Sequence, residues 1–167
     1  MATITLGGNP IHTAGDLPAV GTKAPDFRLT RADLSDASLA SFAGKTLVLN
    51  IFPSIDTGVC AKSVHAFNKA AAGIDGVAVL CVSRDLPFAQ KRFCGAEGIE
   101  GVVTLAEYRD DSFSAAYNVR MTDGKLAGLM SRAVVVVGAD GVVKYVEQVP
   151  EIAQEPNYDA ALAAAKA

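Results

Sequence analysis

Apolar positions fall along this chain in two rhythms, short and nearly unbroken runs separated by stretches with helical spacing. Lys45 to Phe52 carries Leu47, Val48, Leu49, Ile51 and Phe52, the composition of a strand buried on both faces of a sheet. It predicts a central strand that Pro53 ends. After Ser54 to Asp56 the spacing predicts a helix from near Thr57 to about Ala72, with Val64, Phe67 and Ala71 on one face and Gly73 as its stop. Val77 to Val82 predicts a second strand, Pro87 to about Gly95 a helix opened by its proline, and Val102 to Leu105 a short strand. Ser112 to Tyr117 predicts a further helix, and the alanine-rich tail Ala160 to Ala167 a terminal one. Ala133 to Val137, the turn Gly138 to Gly141 and Val142 to Val149 read as a β-hairpin. An earlier hairpin precedes all of this, Thr3 to Leu6 and Ile11 to Ala14 flanking the turn-rich Gly7, Gly8, Asn9 and Pro10, and is followed by a loop from Gly21 to Phe27.

Strands that alternate with helices build a parallel sheet, whereas the late hairpin adds antiparallel strands. The expected class is therefore α/β, a mixed central sheet flanked by helices with an N-terminal β-hairpin. That order is compatible with a thioredoxin-like fold, although periodicity alone does not separate it from other α/β sandwiches.

Composition narrows the picture further. With 167 residues, 50% apolar and 20% charged, the chain suits one domain spanning 1–167 with a full core. A net charge of −3 and a pI near 5.3 invite neither nucleic acid nor an anionic membrane surface, leaving small molecules and other proteins as partners. Met1 to Asn9 has no basic start or continuous apolar stretch, and no later run approaches membrane-spanning length. A soluble, cytoplasmic protein is the expectation.

The cysteines change the picture most. There are 3, too few and unevenly matched for the disulfide framework of a small secreted scaffold. None is spaced as CxxC, and with only His12 and His65 as histidines a zinc site has no recognisable ligand set. Cys60 falls in the first turn of its predicted helix, where unpaired backbone N–H groups and the positive end of the dipole favour a thiolate. The loop before it leaves the carboxyl end of a sheet strand, where α/β folds usually place their sites. Position alone leaves two readings open, a nucleophile and an ordinary core thiol. Cys81, inside an apolar strand, reads as inert. His65, five residues past Cys60, lies well round the helix from it and makes a poor base for a Cys-His dyad.

Pro53, Thr57 and Cys60 together spell PxxxTxxC, and with this motif the chain resembles the peroxiredoxins. The resemblance runs over nearly the whole length and is closest to their thiol peroxidase subfamily. It is carried by Gly8 to Pro10, Ala24 to Phe27, Arg92-Phe93-Cys94-Gly95, Leu126 to Leu129 ahead of Arg132, Val149 to Ile152 and Glu155 to Tyr158. Substitutions such as Met121 and Lys125 fall outside these motifs. The resemblance implies that Cys60 attacks peroxide, that the Thr57 hydroxyl hydrogen-bonds thiolate and peroxide, and that Pro53 shields the sulfur. Arg132, which could otherwise merely mark a solvated strand end, is implied to complete the pocket, its planar fork suited to two adjacent oxygens. Cys94, otherwise a core cysteine near a helix end, is implied to resolve the oxidised Cys60 as a disulfide within one chain.

By the same resemblance thioredoxin is the expected reductant, a homodimer the expected assembly, and no metal or organic cofactor is expected. Because the two cysteines fall on separate predicted helices, local unwinding is expected before the sulfurs meet. Two rivals keep the fold but change the task, a redox-responsive binding protein and a thioredoxin-like disulfide exchanger. The absence of CxxC argues against the second.

Overall fold

Strand alternation governs the core. In β5 (Thr46–Ile51) successive side chains point to opposite faces, and both faces are covered, so nearly every position is apolar. Leu47, Leu49 and Ile51 pack with Phe27, Phe113 and Tyr117 on one face. Val48 packs on the other, with Val64 and Phe67 of α1 (Gly58–Ala71) and Ala161 of α4 (Tyr158–Lys166). The computed structural model describes residues 1–71 and 73–167, with the side chain of Ala71 left aside. The expected helix end at Ala72, and the placement of the Ala71 side chain on the packed face, lie outside the described residues.

The remaining strands are β3 (Leu29–Arg31), β4 (Asp36–Ala37), β6 (Val77–Ser83), β7 (Val103–Ala106), β8 (Ala133–Val137) and β9 (Val143–Gln148). They join β5 in the order β4-β3-β7-β6-β5-β8-β9. Pairs β5–β6 and β6–β7 are parallel, while β5–β8, β8–β9 and β3–β7 are antiparallel. The predicted mixed sheet is thus present. β3 and β4, only 3 and 2 residues long, escape periodicity because so few positions cannot display a period.

α2 (Pro87–Glu97) continues to a left-handed Gly98 (φ 66°), so it ends at the glycine that can adopt that cap and not at Gly95. Its Phe93 joins α1 and α4 on one face of the sheet, whereas α3 (Ser112–Ala116) places Phe113 on the other. Phe67 of α1 meets Tyr158 of α4 edge to face, centroids 5.1 Å apart. That contact fastens the α1 helix from behind.

The N-terminal hairpin is tighter than its sequence suggests. β1 (Thr3–Leu6) pairs with β2 (Asn9–His12) across a two-residue turn, Gly7 and Gly8, at φ 59° and 82°. Two left-handed positions match the twist of a hairpin, and two glycines supply them. Pro10 consequently sits inside β2 opposite Thr5 and not in the turn, a place open to proline because β2 is an edge strand with no further neighbour in its 2-stranded sheet.

Two features of this topology create the site. α1 starts just past the carboxyl end of β5, and Ile51 at that end pairs with Ala133, the first residue of β8. Arg132 therefore stands beside the opening of α1. After β9 the chain turns back over the same end of the sheet, where β1 docks on it. Thr5 N–H donates to the Pro150 carbonyl at 2.8 Å and Ile152 N–H to the Thr5 carbonyl at 2.9 Å.

Candidate active site

Cys60 lies in the first turn of α1 and is fully buried. Its Sγ accepts a hydrogen bond from Arg132 Nη2 at 3.4 Å. Arg132 is only 2% exposed, so this guanidinium has given up water for fixed partners, a placement that requires compensation. Part of that comes from the Ile152 carbonyl, which accepts from Nε at 2.8 Å. The Arg132 main chain is fixed as well, its carbonyl accepting from Val149 N–H and from the Gln148 side-chain amide, each at 3.0 Å. Nη1 is buried and has no partner among the described residues.

Pro53 is buried at the end of β5, and Thr57 is exposed just ahead of α1. The Thr57 hydroxyl donates to the Ser54 carbonyl at 3.0 Å, which fixes the rotor and leaves its lone pairs free to accept. Pro53, Thr57 and Arg132 line one cavity of about 260 Å³, together with Leu126, Leu129, Ile152 and Leu6 of the hairpin. It offers one guanidinium, the Thr57 and Ser54 side chains, and an apolar wall. A larger cleft of about 510 Å³ runs along Cys94, Lys91 and Arg31. Size does not select the reaction site here, because the smaller cavity is the one lined by Arg132, whose guanidinium bonds the buried Cys60 sulfur behind it.

Four of the five sequence-derived site residues, Pro53, Thr57, Cys60 and Arg132, are thus brought together. Cys94 is not. It sits half-buried on α2, and all three cysteines are free thiols. Burial pushes the Cys94 thiol above its ordinary pKa, so in this conformation it is a poor nucleophile. Cys81 is fully buried in β6, and burial drives its thiol up to about 12. His65 instead pairs with Glu97 of α2 at 3.5 Å and meets the Phe93 ring edge on.

Two supporting residues had no role assigned by the sequence. Asn50 was the legible one, a polar side chain in an otherwise apolar run. Fully inside the core, its amide donates to Ser63 Oγ at 3.1 Å, and Ser63 in turn donates to the Cys60 carbonyl at 2.7 Å. The turn carrying the nucleophile is thereby tied to the central strand. Glu151 is the second. Its carboxylate accepts from the Thr5 hydroxyl and from the N–H groups of Gly7 and Gly8 at 3.0 and 3.2 Å. Those bonds hold the carboxyl well below the usual range, to about 2. They also fix the hairpin against the segment whose Ile152 carbonyl orients Arg132.

Comparison with known proteins gives the family. The Redoxin family model matches residues 19–162. A protein named Thiol peroxidase from Mycobacterium tuberculosis is 62% identical over 164 residues, covering 98% of each chain. A Thiol peroxidase from Leptospira interrogans is 53% identical over 169 residues, covering 100% of this chain and 99% of its own. Among solved structures, a peroxiredoxin-like protein from Aquifex aeolicus superposes with a TM-score of 0.93 at 38% identity, over 98% of this chain and 95% of that one. The thioredoxin-like arrangement, with which the order of elements was compatible, is therefore the fold. On this evidence the chain belongs to the redoxin family and, within it, to the thiol peroxidases.

Proposed function

We propose that this oxidoreductase reduces hydrogen peroxide and organic hydroperoxides through Cys60, and that one domain spanning the chain performs the whole cycle. The observation that carries the reading is the buried Arg132 guanidinium, with one nitrogen on Cys60 Sγ and another, Nη1, unpartnered among the described residues. Buried polar groups are seldom left unmatched, and Arg132 also lines the cavity. A peroxide seated there would accept from the guanidinium with one oxygen while the other faces sulfur.

In the first step the Cys60 thiolate attacks one peroxide oxygen. An S–O bond forms, the O–O bond breaks, and the departing oxygen leaves as water or an alcohol after taking a proton. Arg132 stabilises the charge growing on that oxygen, an arrangement set before the reaction begins. The Thr57 hydroxyl orients the peroxide, and Pro53 keeps water from the sulfur. Leu6, Leu126, Leu129 and Ile152 give an alkyl hydroperoxide a surface for its tail.

The Cys60 sulfenic acid then condenses with Cys94, forming an S–S bond and releasing water. Cys94 reaches it after the ends of α1 and α2 unwind, which also relieves the burial that suppresses its thiolate. A dithiol protein of the thioredoxin kind returns two electrons and two protons. Among the described residues no helix is long and apolar enough to cross a membrane; a cytoplasmic setting and a homodimer complete the proposal, and light scattering of the purified chain tests the latter. Stopped-flow oxidation by hydrogen peroxide and by cumene hydroperoxide tests the reaction itself. Rapid consumption of both supports the reading, and loss of neither in Cys60→Ser would refute it.

A further inference from the structure

Asp85 stands between the two cysteine-bearing helices. It lies in the short segment joining β6 to α2, and its carboxylate gathers three donors from different parts of the chain. Ser54 Oγ donates at 2.8 Å and Ile55 N–H at 2.7 Å, both from the loop that launches α1. Ser83 Oγ donates at 2.6 Å from the end of β6. The same Ser83 oxygen accepts from Gln90 Nε2 at 3.1 Å, and that amide also reaches the Leu105 carbonyl at 3.0 Å. Gln90 is fully buried on α2 and sits four residues before Cys94, on the same helix face. A continuous set of hydrogen bonds therefore runs from the Cys60 loop through Asp85 and Ser83 to the Cys94 helix.

We infer that Asp85 is a positioning residue that latches the Cys60 loop to the Cys94 helix and so sets the balance between reacting with peroxide and forming the disulfide. The inference rests on the Cys60–Cys94 reading given above. A carboxylate accepting three hydrogen bonds, one of them from the backbone N–H of Ile55, holds its partners more firmly than neutral pairs do. The folded arrangement keeps Cys60 on Arg132 and Thr57 at the cavity that Arg132 lines, as the first step needs, while the second step needs both helix ends released. One latch thus acts oppositely on the two steps. A merely structural residue would impair both. The exposed Arg92–Asp56 pair at 3.0 Å spans the same two elements, but solvent screening leaves it little weight.

The test uses the full-length, pre-reduced protein mixed with hydrogen peroxide in a quenched-flow instrument. Alkylation and mass spectrometry follow the Cys60 thiol, its sulfenic acid and the Cys60–Cys94 disulfide through time. Asp85→Asn keeps the size but turns an amide toward groups that donate. It should slow the first step about tenfold and speed disulfide formation about threefold, the scale expected when charge-assisted bonds are lost from one of two states. Ser83→Ala, which removes the Ser83 bonds to Asp85 and Gln90 but leaves Asp85 its bonds from Ser54 and Ile55, keeps the inference testable should Asp85→Asn fold poorly; it should speed disulfide formation with less effect on the first step. Disulfide formation unchanged or slowed in the folded variants would overturn the latch. Wild-type protein that forms no Cys60–Cys94 disulfide with one equivalent of peroxide would overturn the cysteine assignment itself, a failure recognised before any variant is made.

Discussion

Replacing Arg132 by lysine is the sharpest perturbation of the reaction site, because it keeps the charge and removes the geometry. Arg132 uses Nε for the Ile152 carbonyl at 2.8 Å and Nη2 for Cys60 Sγ at 3.4 Å, with Nη1 left over. A lysine brings one ammonium to the end of a flexible stem, and that single group cannot occupy all three directions. If the ammonium settles on Ile152, the sulfur and peroxide lose a charged donor worth about 1.5–3 kcal/mol. At about 1.4 kcal/mol per decade, the second-order rate constant with peroxide falls roughly tenfold to a hundredfold. If it settles on sulfur, the buried Ile152 carbonyl loses its donor and stability falls by about 1–3 kcal/mol instead. Competition with a reference peroxidase for limiting hydrogen peroxide gives the rate constant, and urea unfolding gives the stability. A lysine variant with both the wild-type rate and the wild-type stability would refute the claim that the guanidinium fork matters.

Cys94→Ser should permit one stoichiometric oxidation and block thioredoxin-driven cycling, measured as NADPH use with thioredoxin and its reductase; sustained turnover would remove Cys94 from the resolving role. Cys81→Ser should leave both half-reactions near normal, since a thiol held at about 12 by burial takes no part near neutral pH, and a large loss of peroxide turnover would contradict that. Phe67→Ala, which empties a fully buried ring site behind α1, should cost about 3–5 kcal/mol in urea unfolding. Glu151 predicts an acid dependence. Its carboxyl sits near 2 when folded against an ordinary 4.5, so its contribution to stability is complete above about 4.5 and is lost as pH falls toward 2. Glu151→Gln should flatten that part of the profile of melting temperature against pH, and an unchanged slope would show that the hairpin clip carries no weight.

How far the sequence could be read depended on how local the cause of each feature was. The β5 run, Pro53, and the α1 spacing through Val64 and Phe67 are short-range signals, and they located the turn that carries Cys60. The β8 and β9 hairpin was legible because Ala133 to Val137 is apolar throughout and is followed by a glycine-bounded turn. Boundaries shifted where a single residue decided them. Gly98 at φ 66° ended α2, and the Gly7–Gly8 turn drew Asn9 and Pro10 into β2. Residues that support the site at long range could not be found this way. Asp85 meets Ser54 across 31 positions, and Glu151 meets Gly7 across 144. No periodicity encodes such partners, since they are created when the sheet brings strand ends together. Arg132 was identified through resemblance; its physical reason, the pairing of Ala133 with Ile51, appears only in the fold.

In the proposed cycle Cys60 and Cys94 divide the labour, one attacking peroxide and the other resolving the product. Peptide mapping of the full-length protein, alkylated after one equivalent of hydrogen peroxide, tests it most directly. A single intrachain disulfide joining Cys60 to Cys94 is expected, with Cys81 recovered as an alkylated thiol. A disulfide that includes Cys81, or a Cys60 recovered as free thiol while peroxide has been consumed, would contradict it.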